Sequence, residues 1–203
     1  MIPEYIENEL PKKTLLSLFD YTGTWSNPYK RAGWRVIQID IKLGIDVFAF
    51  REDLVATKID GILAAPPCTD FSVSGAQYWP KKDLDGTTEA SVALVLRTIE
   101  LIKYFKPNFW VIENPVGRIG KLVPELLQYG PFYFHPYEFG DAWTKKTGLY
   151  GVFNKPAYNV VEPIRSTAQG SWLMALGGKS ERTKELRSIT PPGFALAFYE
   201  ANK

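Results

Sequence analysis

Cys68, the chain's only cysteine, stands in the run Ala64-Ala65-Pro66-Pro67-Cys68-Thr69-Asp70-Phe71-Ser72. A thiolate can attack an electron-poor carbon and later leave it, so this residue is a candidate nucleophile. Ile62 and Leu63 read as a short apolar strand, and the prolines end it because they cannot donate to a sheet ladder. Cys68 is therefore expected just past a strand end, where parallel sheets bind ligands and loops on a rigid scaffold carry reactive groups. About 45 residues later a second apolar run, Phe109 to Ile112, is expected to end at Glu113-Asn114-Pro115. Glu113 is an acid able to hold a proton in a buried setting. The plainer alternatives are a small buried hydrophobe for Cys68 and a helix or turn cap for Glu113.

The strand-loop-helix rhythm supplies the elements that position these groups. Thr14 to Phe19 is an apolar strand, Asn27 to Gly33 a short helix ending at glycine, and Arg35 to Ile41 an alternating, β-branched strand carrying Asp40 at its end. Asp60 to Ala65 is the strand before Cys68. Thr87 to Lys106 places Val92, Val95, Leu96, Ile99, Ile102 and Phe105 on one helical face, and Pro107 closes it. Such alternation predicts an α/β fold with a doubly wound, mostly parallel sheet. Phe132 to Phe139 and Leu149 to Phe153 are aromatic strands without an intervening helix and predict an antiparallel edge. Arg165 to Arg187 reads as a mobile loop or a helix that orders on binding, and Phe194 to Asn202 as a terminal helix after Pro191-Pro192-Gly193.

At 203 residues and 45% hydrophobic content the chain suits a single domain, residues 1–203. A net charge of +2 does not by itself select a nucleic-acid partner. One cysteine and one histidine exclude a disulfide framework and argue against a metal centre. His135 lies in an aromatic strand and is assigned no role. No apolar stretch approaches a membrane span, and an N-terminus with Glu4, Glu7 and Glu9 lacks a basic region followed by an apolar run, so a cytoplasmic protein is expected.

Four blocks in fixed order resemble the cytosine-C5 DNA methyltransferases, and among them the short members carried by phages. They are Leu18-Phe19-Asp20-Tyr21-Thr22-Gly23-Thr24-Trp25, Pro66 to Ser72, Val111-Ile112-Glu113-Asn114-Pro115, and Arg187-Ser188-Ile189-Thr190-Pro191-Pro192-Gly193-Phe194-Ala195. The resemblance implies a Rossmann-like methyltransferase domain that uses S-adenosyl-L-methionine, with DNA as partner. Cys68 would add to C6 of cytosine, Glu113 would give N3 its proton, and Asn114 would orient Glu113 or the base. The cofactor would lie against Phe19, Tyr21, Thr22, Gly23, Ile41 and Pro66, with Asp40 accepting from ribose hydroxyls and Asp46-Val47 at the adenine. Ser72, Lys145 and Lys146 would meet the substrate. Lys81, Lys82, Lys145 and Lys146 are the cations available to favour thiolate.

Departures from the family pattern are specific. Tyr21 replaces a glycine near the cofactor, Pro115 replaces a valine, and Gly193-Phe194-Ala195 replaces a Gly-Asn-Ser turn. Lys145 and Lys146 stand where arginines are usual, and lysine cannot form a bidentate fork. Only the reduced segment 154–187 takes the place of a target-recognition domain. Its Lys179, Arg182, Lys184 and Arg187 suit phosphate or solvent equally. Selectivity is therefore expected to be short, relaxed, or supplied by a protein partner or self-association. Methylation of a free nucleotide or single strand, where base extrusion costs little, stands as an alternative, as does a degenerate cofactor- or DNA-binding protein.

Overall fold

The computed structural model describes residues 13–165, 172–176 and 180–203. The elements follow in order β1 (Thr14–Leu18), α1 (Asn27–Arg31), β2 (Arg35–Ile39), β3 (Gly61–Ala64), α2 (Trp79–Leu84), α3 (Thr87–Phe105), β4 (Phe109–Pro115), α4 (Ile119–Leu122), β5 (Phe132–Phe134), β6 (Thr147–Val152), α5 (Trp172–Ala175), α6 (Glu181–Ser188) and α7 (Pro192–Ala201). They build one six-stranded sheet in the order β2-β1-β3-β4-β6-β5. The pairs β1 with β2, β1 with β3 and β3 with β4 are parallel, whereas β6 runs antiparallel to both β4 and β5. Fold class and antiparallel edge are as the sequence predicts.

Side-chain alternation divides the sheet between two apolar layers. Leu16, Leu18, Ile62, Ala64, Trp110 and Ile112 join Val95, Ile99 and Ile102 of α3, while Leu15, Leu63 and Val111 join Tyr29 of α1 and Phe194 and Phe198 of α7. Both faces are covered, which is why the parallel strands read as continuous apolar runs. The face of α3 is shifted from the periodic reading. Leu96 is 42% exposed, and Leu101, Ser91 and Thr98 lie buried instead.

Three boundaries differ from expectation for identifiable reasons. β2 stops at Ile39 because Asp40 caps a 3-10 turn over Ile41–Leu43. β5 stops at Phe134 because Pro136 opens another such turn, over Pro136–Glu138. β4, expected to end before Glu113, continues through Pro115. There β3 has ended, and β6, which pairs with the other edge of β4 from Trp110 onward, continues through Glu113 with Leu149, Asn114 with Gly148 and Pro115 with Thr147. The segment 154–187 contributes α5 and most of α6, so a helix is observed within the ambiguous stretch. Glu4, Glu7, Glu9, Gly170, Gly177, Gly178 and Lys179 lie outside the described residues. Among the described residues no helix is long and apolar enough to cross a membrane.

Candidate active site

β1 sits between β2 and β3, so the connections leaving β1 and β3 diverge and open a crevice at the strands' carboxyl ends. The two sequence blocks with reactive side chains meet on one side of it. Beyond Ala64 the chain turns through Pro66 and Pro67, and the Cys68 carbonyl accepts from the amides of Phe71 (3.1 Å) and Ser72 (2.9 Å). Beside this turn β4 extends past the end of β3 and presents Glu113 and Asn114 on opposite faces. Asn114 is buried, and its Nδ2 donates to the Pro66 carbonyl at 3.2 Å. Asn114 Oδ1 is buried without a partner among the described residues.

Glu113 faces a cation from the neighbouring loop. Lys145, two residues before β6, lies with its Nζ 4.0 Å from Glu113 Oε1 and donates to the Arg187 carbonyl at 3.1 Å. Cys68 is half-buried. Burial pushes its thiol up, the Lys145 charge draws it back down, and Glu113 and Asp70 push it up again. Of the four lysines named as candidates, Lys145 is therefore the one whose field favours thiolate. Lys82 is engaged with Asp70 and the Thr69 carbonyl, Lys146 lies 5.0 Å over the Tyr133 ring, and Lys81 is exposed on α2.

The Cys68 turn is tied down by residues that the sequence reading did not assign to the site. Buried Asp70 accepts from both Lys82 and Ser91. Arg118 donates its Nε to the Asp70 carbonyl (2.9 Å) and its terminal nitrogens to Asp83 (2.8 Å) and Thr88 (2.8 Å), and its guanidinium lies 4.5 Å over the Trp79 ring. Its backbone amide reaches the Phe71 carbonyl at 2.9 Å. Gly117 passes so close that a Cβ there would stand 1.8 Å from the Phe71 oxygen. No spacing rule exposes this lock. Its only sequence signal is that Asp70 and Arg118 follow Cys68 and Asn114 closely.

The opposite wall begins at Phe19, which leaves β1 with φ of 59° while its amide bonds the Ile39 carbonyl at 2.8 Å. A bulky residue in the left-handed region is a strained conformation held by its surroundings. Behind it, buried Asp20 accepts from Ser17 Oγ (2.9 Å), Ser26 N (3.1 Å) and Ser26 Oγ (2.7 Å), and burial pushes its carboxyl up against those bonds. Gly23 turns at φ of 67°, where a Cβ would meet Gln38 Nε2 at 3.1 Å. Tyr21 is 40% exposed beneath the Lys42 ammonium, 5.2 Å from its ring, and Thr22 Oγ1 lies 3.0 Å from Thr24 Oγ1.

Asp40 uses Oδ1 to accept from Lys42 N at 2.8 Å, and Ile41 beside it is 71% exposed. Asp46 Oδ1 accepts from Phe48 N at 2.9 Å. Val47 is buried in the core, and it is its neighbour Phe48, not singled out in the sequence, that stands exposed. Ser72 caps the 3-10 turn Val73–Tyr78, and its Oγ lies 2.9 Å from Ser74 Oγ. Pro66, Cys68, Glu113, Asn114 and Lys145 thus form one constellation, which Lys146 does not join. At the last sequence block Phe194 is buried and stacked on Phe134, with ring centroids 4.1 Å apart, so it has a core role.

A protein of Frog virus 3 (isolate Goorha), named "Probable DNA (cytosine-5)-methyltransferase", is 27% identical over 208 residues, covering 90% of this chain and 96% of that one. Type II methyltransferase M.DdeI of Desulfomicrobium norvegicum (strain DSM 1741 / NCIMB 8310) is 25% identical over 198 residues, covering 88% of this chain but 43% of its own. A solved DNA modification methyltransferase encoded within an E. coli prophage shares the fold, with a TM-score of 0.52 and 18% identity over 75% of this chain and 52% of that one. The chain thus spans about half of that structure and less than half of the Desulfomicrobium enzyme. The model of the C-5 cytosine-specific DNA methylase family matches residues 17–121, which run from β1 into α4 and contain both Cys68 and Glu113. With more than half of its length matched, the chain belongs to the C-5 cytosine-specific DNA methylase family.

Proposed function

We propose that this protein transfers a methyl group from S-adenosyl-L-methionine to C5 of cytosine in DNA through a covalent bond between Cys68 and C6. The carrying observation is the junction of Cys68 and Glu113 around Lys145 at the ends of β3 and β4. C5 of cytosine is a poor nucleophile until a group adds to C6. The Cys68 thiolate forms the sulfur–carbon bond, the C5–C6 double bond opens, and electron density moves through C4 onto N3. Glu113 supplies the proton that N3 then takes, which makes C5 enamine-like. After transfer, loss of the C5 proton restores the C5–C6 double bond and expels Cys68 as thiolate, and N3 returns its proton to Glu113. Asn114 holds the Pro66 carbonyl and so keeps the cysteine turn against β4.

The opposite wall fits the cofactor. Gly23 leaves a backbone approach that a side chain would crowd, Asp40 keeps one carboxylate oxygen beyond its capping bond, and Ile41 and Phe48 expose apolar surface suited to a purine. Phe19, Tyr21, Thr22, Gly23, Asp40, Ile41 and Phe48 would hold it, with Asp46 and Val47 shaping the turn behind Phe48. When bound it supplies an electrophilic methyl group. Sequence selectivity falls to the short segment 154–187 or to a partner. An oligonucleotide carrying 5-fluorocytosine has no C5 proton to lose, so with the cofactor it should remain covalently attached to wild type on a denaturing gel. Attachment to Cys68→Ala, or none to wild type, would refute the covalent route.

A further inference from the structure

α6 lies between the two walls of the crevice. At its C-terminal end the Arg187 carbonyl accepts from Lys145 Nζ at 3.1 Å, and the same ammonium is 4.0 Å from Glu113 Oε1. At its first turn Glu181 feels the charge of Lys42, whose ammonium covers Tyr21 on the cofactor wall, although its closest partner is Lys184 at 2.6 Å. Ser180 starts the helix by accepting the Thr183 amide at 3.2 Å, and an Arg187 terminal nitrogen anchors its end to the Leu173 carbonyl at 3.3 Å. The charged and titratable groups acting on Cys68 are Lys145, Glu113 and Asp70, and Asp70 is itself paired with Lys82.

We propose that α6 is a positioning strap that holds Lys145 between Cys68 and Glu113, so that the reactivity of the thiol depends on the helix being docked. The inference rests on the proposed role of Cys68 but concerns the resting protein. Lysine suits this arrangement because its single ammonium can serve the Arg187 carbonyl, the Glu113 carboxylate and a thiolate together. A free lysine on a solvated loop would have many rotamers, and the carbonyl at the end of α6 removes most of them. The segment standing where the resemblance expects a recognition domain would thereby report its own docking to the catalytic pair.

Because Cys68 is the only cysteine, its alkylation by iodoacetamide can be followed by intact mass across pH on the full chain, without cofactor or DNA. Lys145→Met should slow alkylation near neutral pH about fivefold and move the profile to higher pH, while Lys145→Arg restores most of the rate. Ser180→Ala, which removes the α6 cap and the bond to the Thr183 hydroxyl, should move the profile the same way by a smaller amount, and Ser180→Asp, which can accept both, should restore it. An unchanged profile in Lys145→Met overturns the proposal, as does a shift in Lys145→Met with none in Ser180→Ala. If wild type makes no 5-methylcytosine yet shows these shifts, the functional reading fails and the strap stands. Methylation with no shifts gives the reverse.

Discussion

The two walls of the crevice differ in how much apolar surface they leave uncovered. On the β3–β4 side every backbone turn is cross-tied: Asn114 to Pro66, Lys82 and Ser91 to Asp70, Arg118 to Asp70, Asp83 and Thr88, and Gly117 against Phe71. On the β1–β2 side, past the buried Asp20 knot, Arg97 of α3 ties the chain at the Val47 and Phe50 carbonyls and at Glu52, but the stretch from Ile41 to Leu54 runs through 3-10 turns and leaves Ile41, Leu43, Ile45, Phe48 and Leu54 exposed. A nucleophile must be held within a fraction of an ångström of its target, so its loop is fixed before substrate arrives. A binding wall can stay apolar and open because its ligand completes it.

This contrast is broken most sharply at Cys68. Cys68→Ala should reduce methyl transfer to background while thermal melting stays near wild type, because the residue is half-buried and joins no disulfide. Gly117→Ala comes next, since its Cβ would fall 1.8 Å from the Phe71 carbonyl oxygen. A drop in melting temperature and loss of transfer are both expected, measured by circular dichroism and product formation. Arg118→Ala removes the donor to Asp70 O and to Thr88 and one of the two donors to Asp83, and should lower stability by about 3 kcal/mol in urea unfolding, with activity falling further than the unfolded fraction explains.

On the open wall the pattern should reverse. Phe48→Ala should weaken cofactor binding about tenfold by calorimetry and leave the melting temperature within about 2 °C of wild type, since the ring is 54% exposed. The smallest effect belongs to Asp20. Burial holds its carboxyl above the ordinary value, so the folded state keeps a proton that the unfolded chain has lost. Stability should therefore fall as pH rises from the ordinary aspartate value to the higher folded-state value. Asp20→Asn, whose amide oxygen can accept the same three bonds from Ser17 and Ser26, should flatten that slope in pH-dependent unfolding.

Legibility in the sequence follows the same division. β1, β3, β4, α3 and α7 were readable because each buries a continuous or periodic apolar run, and β2 because it is rich in β-branched residues, although only its Ile39 is buried. Cys68, Glu113 and Asn114 were readable because prolines and polar residues interrupt such runs. The extension of β4 through Pro115 was not, since it depends on β6, whose pairing lies about 35 residues away. Likewise Lys145 could not be separated from its three lysine rivals, because the choice rests on the Arg187 carbonyl and the Glu113 carboxylate. Phe48 was hidden behind Asp46-Val47 because a tight turn sends Val47 inward and its neighbour outward. Arg118 was missed because its partners are mostly backbone carbonyls and side chains from α2 and α3, which no local pattern marks.

The central claim, that the fixed wall carries a cysteine nucleophile acting on cytosine, is tested most directly by nucleoside analysis. Wild type and Cys68→Ala would be incubated with labelled S-adenosyl-L-methionine and unmodified duplex DNA, and the digested DNA examined by mass spectrometry. The account predicts labelled 5-methylcytosine from wild type alone; 5-methylcytosine from Cys68→Ala, or no product from wild type that binds the cofactor, would contradict it.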